Sequence, residues 1–283
     1  MKLIWKGYGE IITAAALWGT AGILVRMISD MTALSIIFYR VALAFIILLF
    51  FLSLSGNLNI LRLKDKKLYL VLFSVLQITT MLTFFISIME ASVPVAVLLL
   101  YTAPLYVTVL SPLLLKERST GKGWLALGFS IAGVILIIDP LKLDFSLKLT
   151  GIIAGMLSGV SYSFQIMTSK YISKSYSGYS QAFWSFMIAT LLLLPFAAVP
   201  LDVVSGNIPY LILLAIFPTI LAISLYFNGL NKVRASSASI LALIEPVSAV
   251  ILSILILHES ISIPVLLGGA LILMGGAIVT GEQ

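Results

Sequence analysis

The sequence predicts an all-α membrane protein of ten transmembrane helices arranged as two inverted five-helix repeats, and three observations carry that prediction. The first is composition. Of 283 residues, 61% are apolar and 10% charged, with a mean hydropathy of +1.17, whereas soluble domains hold about 45–50% apolar and about 25% charged residues. The second is an internal repeat. Val93–Ile138 shifted by 142 positions falls on Ala235–Thr280, which sets Ala96 on Ala238, Pro104 on Pro246, Glu117 on Glu259 and Gly133 on Gly275. The third is charge placement. The net charge of +6 sits in gaps between apolar runs, a pattern that orients a chain in a membrane and does not point to nucleic acid.

About 20 helical residues cross the hydrocarbon core, and ten segments reach or approach that length: 8–28, 33–54, 68–89, 94–115, 122–139, 150–171, 180–200, 208–230, 236–257 and 262–281. Lys2 and Lys6 before an apolar run imitate a cleaved leader, but Glu10 opens the run and it continues for a full span to Ile28, so the first helix is expected to stay. With the N-terminus inside, ten crossings put thirteen of the seventeen basic residues on the inner side. The outer side receives Arg26, Lys142 and Lys148, and Arg40 lies within a span. That asymmetry places both termini in the cytoplasm and the chain in the cytoplasmic membrane. Five helices per half is an odd number, so residues 141–283 enter from the face opposite to residues 1–140. The first helices of the halves align at an offset of 144 (Trp18 on Tyr162, Arg26 on Lys170), and the third helices at 141 (Ser87 on Asn228, Glu90 on Asn231).

The repeated block, with Ala103-Pro104 or Glu245-Pro246 inside a span, Glu117 or Glu259 closing it, and a glycine-rich helix after it (Gly128, Gly133; Gly268, Gly269, Gly275, Gly276), resembles the drug/metabolite transporter superfamily in its ten-helix EamA-type branch. Trp18-Gly19 fits as well. The resemblance covers essentially the whole chain and identifies fold better than cargo. It implies a proton-coupled or facilitative carrier, often exporting amino acids or other small metabolites, with a central cavity and with the fifth and tenth helices outside it.

Two charges lie well inside spans. A charge at a helix centre costs about 2.5–3.5 kcal/mol on insertion scales, so Arg40 and Glu245 are expected to face the protein interior. Glu245 reads either as a proton-titrating carboxylate or cargo counter-ion, or as a buried structural carboxylate. Pro246 strengthens the first reading, because proline frees a carbonyl in the preceding turn. Arg40 can grip a carboxylate or phosphate through its planar fork, or it can pair with Glu245. Polar stripes mark Gln77, Thr80, Thr83 and Ser87 on the third helix, Ser158, Ser161 and Gln165 on the sixth, and Ser224, Asn228 and Asn231 on the eighth. Such residues line cavities or join helices. Trp18, Tyr39, Tyr101, Tyr162 and Trp184 lie deep enough to face a partly apolar cargo. The substrate-binding candidates are therefore Arg40, Glu245, Trp18, Tyr39, Tyr101, Tyr162, Gln165, Trp184 and Asn228, with Glu245 the candidate for proton coupling. The glycines at 151, 155 and 159 suit close helix packing, and the basic loop Arg62–Lys67 suits anionic lipid.

These residues point to a secondary carrier of a small polar or zwitterionic metabolite, without cofactor or metal. A single histidine and no cysteine leave little for a metal site, and no G-x-x-x-x-G-K-[ST] motif is present to bind ATP. A translocator of lipids or lipid-linked sugars is the alternative of similar fold, in which Arg40 would meet a phosphate. An intramembrane enzyme lacks its residues, since no pair of aspartates and no deep lysine lies in a span.

Overall fold

The computed structural model describes residues 2–138, 149–258 and 262–281, which are helical wherever they are regular, with no strand among them. Lys142, Lys148 and Glu259 lie outside the described residues. The first span is α1 (Lys2–Trp18) and α2 (Ala21–Arg26); the second is α3 (Ala33–Leu54) and the third α4 (Lys67–Glu90). The fourth is α5 (Val93–Leu100) with α6 (Ala103–Leu114), and the fifth is α7 (Gly121–Ile138). In the second half, α8 (Leu149–Ile172) and α9 (Gly178–Leu192) are followed by a three-part eighth span: α10 (Leu201–Ala215), a π turn (Ile216–Leu221) and α11 (Ala222–Leu230). The ninth span is α12 (Ala235–Ala242) with α13 (Glu245–Leu257), and α14 (Ile263–Thr280) is the tenth.

Nine of these spans, among the described residues, are long and apolar enough to cross a membrane as helix alone. The seventh, α9, has 15 residues and is prolonged by a 3₁₀ turn at Leu194–Ala197. Fifteen α-helical residues rise about 22 Å and four 3₁₀ residues about 8 Å, together the thickness of the hydrocarbon core. Two helices begin well before the bounds the sequence suggests, and the others within two residues of them. The first starts at Lys2 and the eighth at Leu201, where Ser205-Gly206-Asn207 reads as loop. Asn207 is instead buried, with its amide donating to Ser29 O at 2.9 Å and its oxygen accepting from Ser29 N at 3.2 Å.

Packing follows the repeat. The tightest pairs are α4 with α8, α7 with α14, and α1 with α11. Since α1 corresponds to α8 and α4 to α11, the first and third of these are one interface seen twice. Glycine contacts show the equivalence atom by atom. A Cβ on Gly7 would stand 2.8 Å from Lys232 Cβ, and one on Gly151, its counterpart at offset 144, 2.7 Å from Ala91 N. Residues 91 and 232 are themselves 141 apart, the offset of the third and eighth spans. The pair α7 and α14 lies across the two-fold: a Cβ on Gly268 would meet Gly133 O at 2.6 Å, and one on Gly133 would meet Gly268 O. Any larger residue would part these backbones, which is how small residues build interfaces where lipid supplies no hydrophobic drive.

One end of the molecule is basic and tied shut across the halves. The Lys170 ammonium donates to Leu230 O at 2.8 Å, to Asn231 O at 3.4 Å and to Val233 O, and it pairs with Glu117 at 3.6 Å. The second Glu117 oxygen accepts the Ala235 N–H at 2.7 Å, at the start of α12. Beside this cluster Lys232 pairs with Glu10 of α1.

Candidate functional site

Proline shapes the centre. Pro104 and Pro246 each occupy the second position of a half-helix, α6 and α13, and have no N–H to return to Leu100 O and Ala242 O. The fourth and ninth spans therefore break, and they break alike. Thr102 N–H bonds Leu99 O at 3.2 Å, and Ile244 N–H bonds Leu241 O at 3.1 Å, the same pair of positions moved by 142. Gly159 lets α8 lie directly on the first break, where any Cβ would sit 2.5 Å from Leu99 O.

The breaks border a cavity of about 180 Å³ between the halves. Glu245 opens α13, and its carboxylate sits at the positive end of the half-helix, where unsatisfied N–H groups favour an anion. The equivalent position at the start of α6 is Ala103, so the two halves match in shape and differ in charge. The Tyr101 hydroxyl is directed at the Glu245 carboxylate.

Arg40 reaches the same cavity from α3 and is anchored on the π turn. Its Nε donates to Thr219 Oγ1 at 2.5 Å and its Nη2 to Pro218 O at 3.1 Å. The Thr219 hydroxyl in turn donates to Leu214 O at 2.7 Å, the carbonyl that Pro218, lacking an N–H, leaves free. A guanidinium has five N–H donors, so three remain uncommitted. Among the described residues, no ion pair joins Arg40 to Glu245, although both line the cavity.

Six of the nine candidates converge here: Arg40, Glu245, Trp18, Tyr101, Tyr162 and Gln165. Gln165 Nε2 donates to Gln77 Oε1 at 3.3 Å, joining the polar faces of α8 and α4. Tyr162 adjoins Tyr226, their hydroxyls close to one another, and the Tyr226 ring packs on Trp18 at 5.0 Å between centroids. The other three lie elsewhere. The Tyr39 hydroxyl donates to Ala197 O at 3.0 Å, Trp184 Nε1 to Leu61 O at 3.2 Å, and Asn228 Oδ1 accepts from Gly178 N at 2.8 Å. In the eighth span the polar stripe of Asn228 and Asn231 bonds the backbone around residues 173–178, and the cavity face is Thr219, Ile223 and Phe227. Sequence reasoning missed Thr219; the signal was Pro218 just before it inside an apolar run. No described residue of α7, α9 or α14 lines the cavity.

Two bundles repeated upside down, with broken helices meeting at a central cavity that holds single charges, define a polytopic membrane protein of the inverted-repeat transporter class. The EamA-like transporter family model matches residues 5–139 and again 149–281, and the chain belongs to that family. It is 34% identical over 280 residues to an uncharacterized transporter of Archaeoglobus fulgidus, covering 97% of each chain. It is 30% identical over 283 residues to the uncharacterized inner membrane transporter YicL of Salmonella typhimurium, covering 95% of this chain and 93% of that one. A crystal structure 18% identical in sequence superposes with a TM-score of 0.83 over 97% of this chain and 96% of the other, which supports the fold.

Proposed function

We infer that this membrane transporter is a secondary carrier, working by alternating access in the cytoplasmic membrane with its basic end and both termini inside. Its cargo is a small zwitterionic metabolite, an amino acid or a related compound, and net flow is outward. The single observation that carries the cargo class is that one cavity holds two opposite charges, Arg40 and Glu245, with no ion pair between them among the described residues. A buried charge not in contact with an opposite charge is costly, and a zwitterion neutralises both at once, its carboxylate on the uncommitted Arg40 N–H groups and its ammonium on Glu245. A cavity of about 180 Å³ is below the about 300–1,000 Å³ of drug-sized pockets, which suits a cargo of amino-acid size. Alternating access is supported by the ties at the basic end, which join the halves through side chains that can let go.

The test is flux of radiolabelled amino acids in proteoliposomes, with lipid scrambling followed in the same vesicles. Glu245→Gln, which keeps shape and removes charge, is expected to abolish flux across the pH range. Wild-type flux from this variant at every pH, or scrambling in place of flux, would overturn the reading.

A further inference from the structure

At the basic end a second cleft opens on the surface between α4 and α9, sharing no lining residue with the cavity described above. It consists of two adjoining clefts that share Leu63, Lys67 and Leu68. The first, of about 280 Å³, is walled by apolar side chains, Val71 and Leu68 on one flank and Trp184, Met187 and Ile188 on the other, with Lys67 at its mouth. The second, of about 570 Å³, is formed by the loop and first turn from Leu63 to Tyr69, with Lys64, Lys66 and Lys67. Apolar groove and cationic mouth are thus continuous.

The loop is held in place before any ligand arrives. The Lys64 N–H donates to the Tyr176 hydroxyl at 2.8 Å, and that hydroxyl donates back to Lys64 O at 2.8 Å. Lys66, in a left-handed backbone conformation at φ 68°, spends its ammonium on Tyr171 O at 3.1 Å and lies 3.8 Å above the Tyr171 ring. Lys64 and Lys67 differ. Among the described residues, no ion pair or side-chain hydrogen bond engages either ammonium. Within Arg62–Lys67 four cations face one carboxylate, Asp65.

We propose that this groove is a binding site for one anionic phospholipid, with an acyl chain between α4 and α9 and the phosphate on Lys64 and Lys67. The occupant follows from the surroundings and the charge. Leu68 is 76% exposed and Val71 48% exposed, on a face that borders acyl chains. The free ammonium groups stand where that face meets the headgroups, and a zwitterionic lipid brings no net charge to them. Anchored there, the lipid ties the third span to the seventh, one from each half.

The experiment uses the full chain purified in detergent and counts retained lipid by mass spectrometry of the intact complex. Phosphatidylglycerol is offered against phosphatidylcholine, with soluble glycerol 3-phosphate as competitor. Wild-type protein is expected to retain one phosphatidylglycerol in preference to phosphatidylcholine. Lys64→Gln with Lys67→Gln is expected to weaken that retention about thirtyfold, as two surface cations would. Ile188→Trp, which fills the groove and leaves both lysines, is expected to lose the lipid while melting as wild type in lipid-free detergent. Equal retention of the two lipids, undiminished retention by the double lysine variant, or full competition by glycerol 3-phosphate would each overturn the proposal.

Discussion

Arg40 is fixed by two hydrogen bonds to a π turn, and its remaining donors face open space in the cavity. A lysine there keeps the charge and loses the fork. Arg40→Lys is expected to weaken cargo binding about 10- to 100-fold, the worth of charge-assisted hydrogen bonds, and titration of the purified variant by calorimetry checks it. Thr219→Val removes one of the two anchors, together with the bond to Leu214 O, and is expected to raise KM by less. Arg40 and Glu245 were legible because a charge in an apolar run has to face inward. Tyr39, Trp184 and Asn228 were not. Depth can be read from sequence, but the rotation of a helix about its axis depends on neighbours, and these three turn to backbone carbonyls and an N–H across loops.

The broken helices carry the site. Pro104 and Pro246 announced both breaks because each removes a main-chain bond, and the repeat placed them at equivalent positions. The π turn was not legible, since its extra residue per turn arises where Thr219 answers the carbonyl left by Pro218. It also explains why the stripe ending at Asn231 faces away from the cavity. Pro246→Ala restores a donor for Ala242 O and is expected to straighten the ninth span. Flux should fall at least about tenfold, while the protein gains stability from the added bond, about 0.5–1.5 kcal/mol. Paired measurements of transport and thermal unfolding check this; a variant with unchanged flux would show that the break is dispensable.

At the scale of the molecule, inversion was legible from the odd number of spans per half and from the offsets of 144, 141 and 142. The closure of one end was not, because it depends on Lys170 reaching the last carbonyl of α11 and two carbonyls of the loop after it. Glu117→Gln with Lys170→Met removes that tie and is expected to bias the carrier toward opening at its basic end. The chain has no cysteine, so a single engineered thiol reports without background. Thr80 lines the cavity on α4 and bonds only its own helix. The most direct test is therefore labelling of Thr80→Cys by a membrane-impermeant maleimide in vesicles of either orientation. Labelling from both faces, slowed by cargo and faster from the basic side when the Glu117–Lys170 tie is removed, is the predicted result. A thiol reached from one face alone, or from neither, would contradict a pocket that two inverted halves expose by turns.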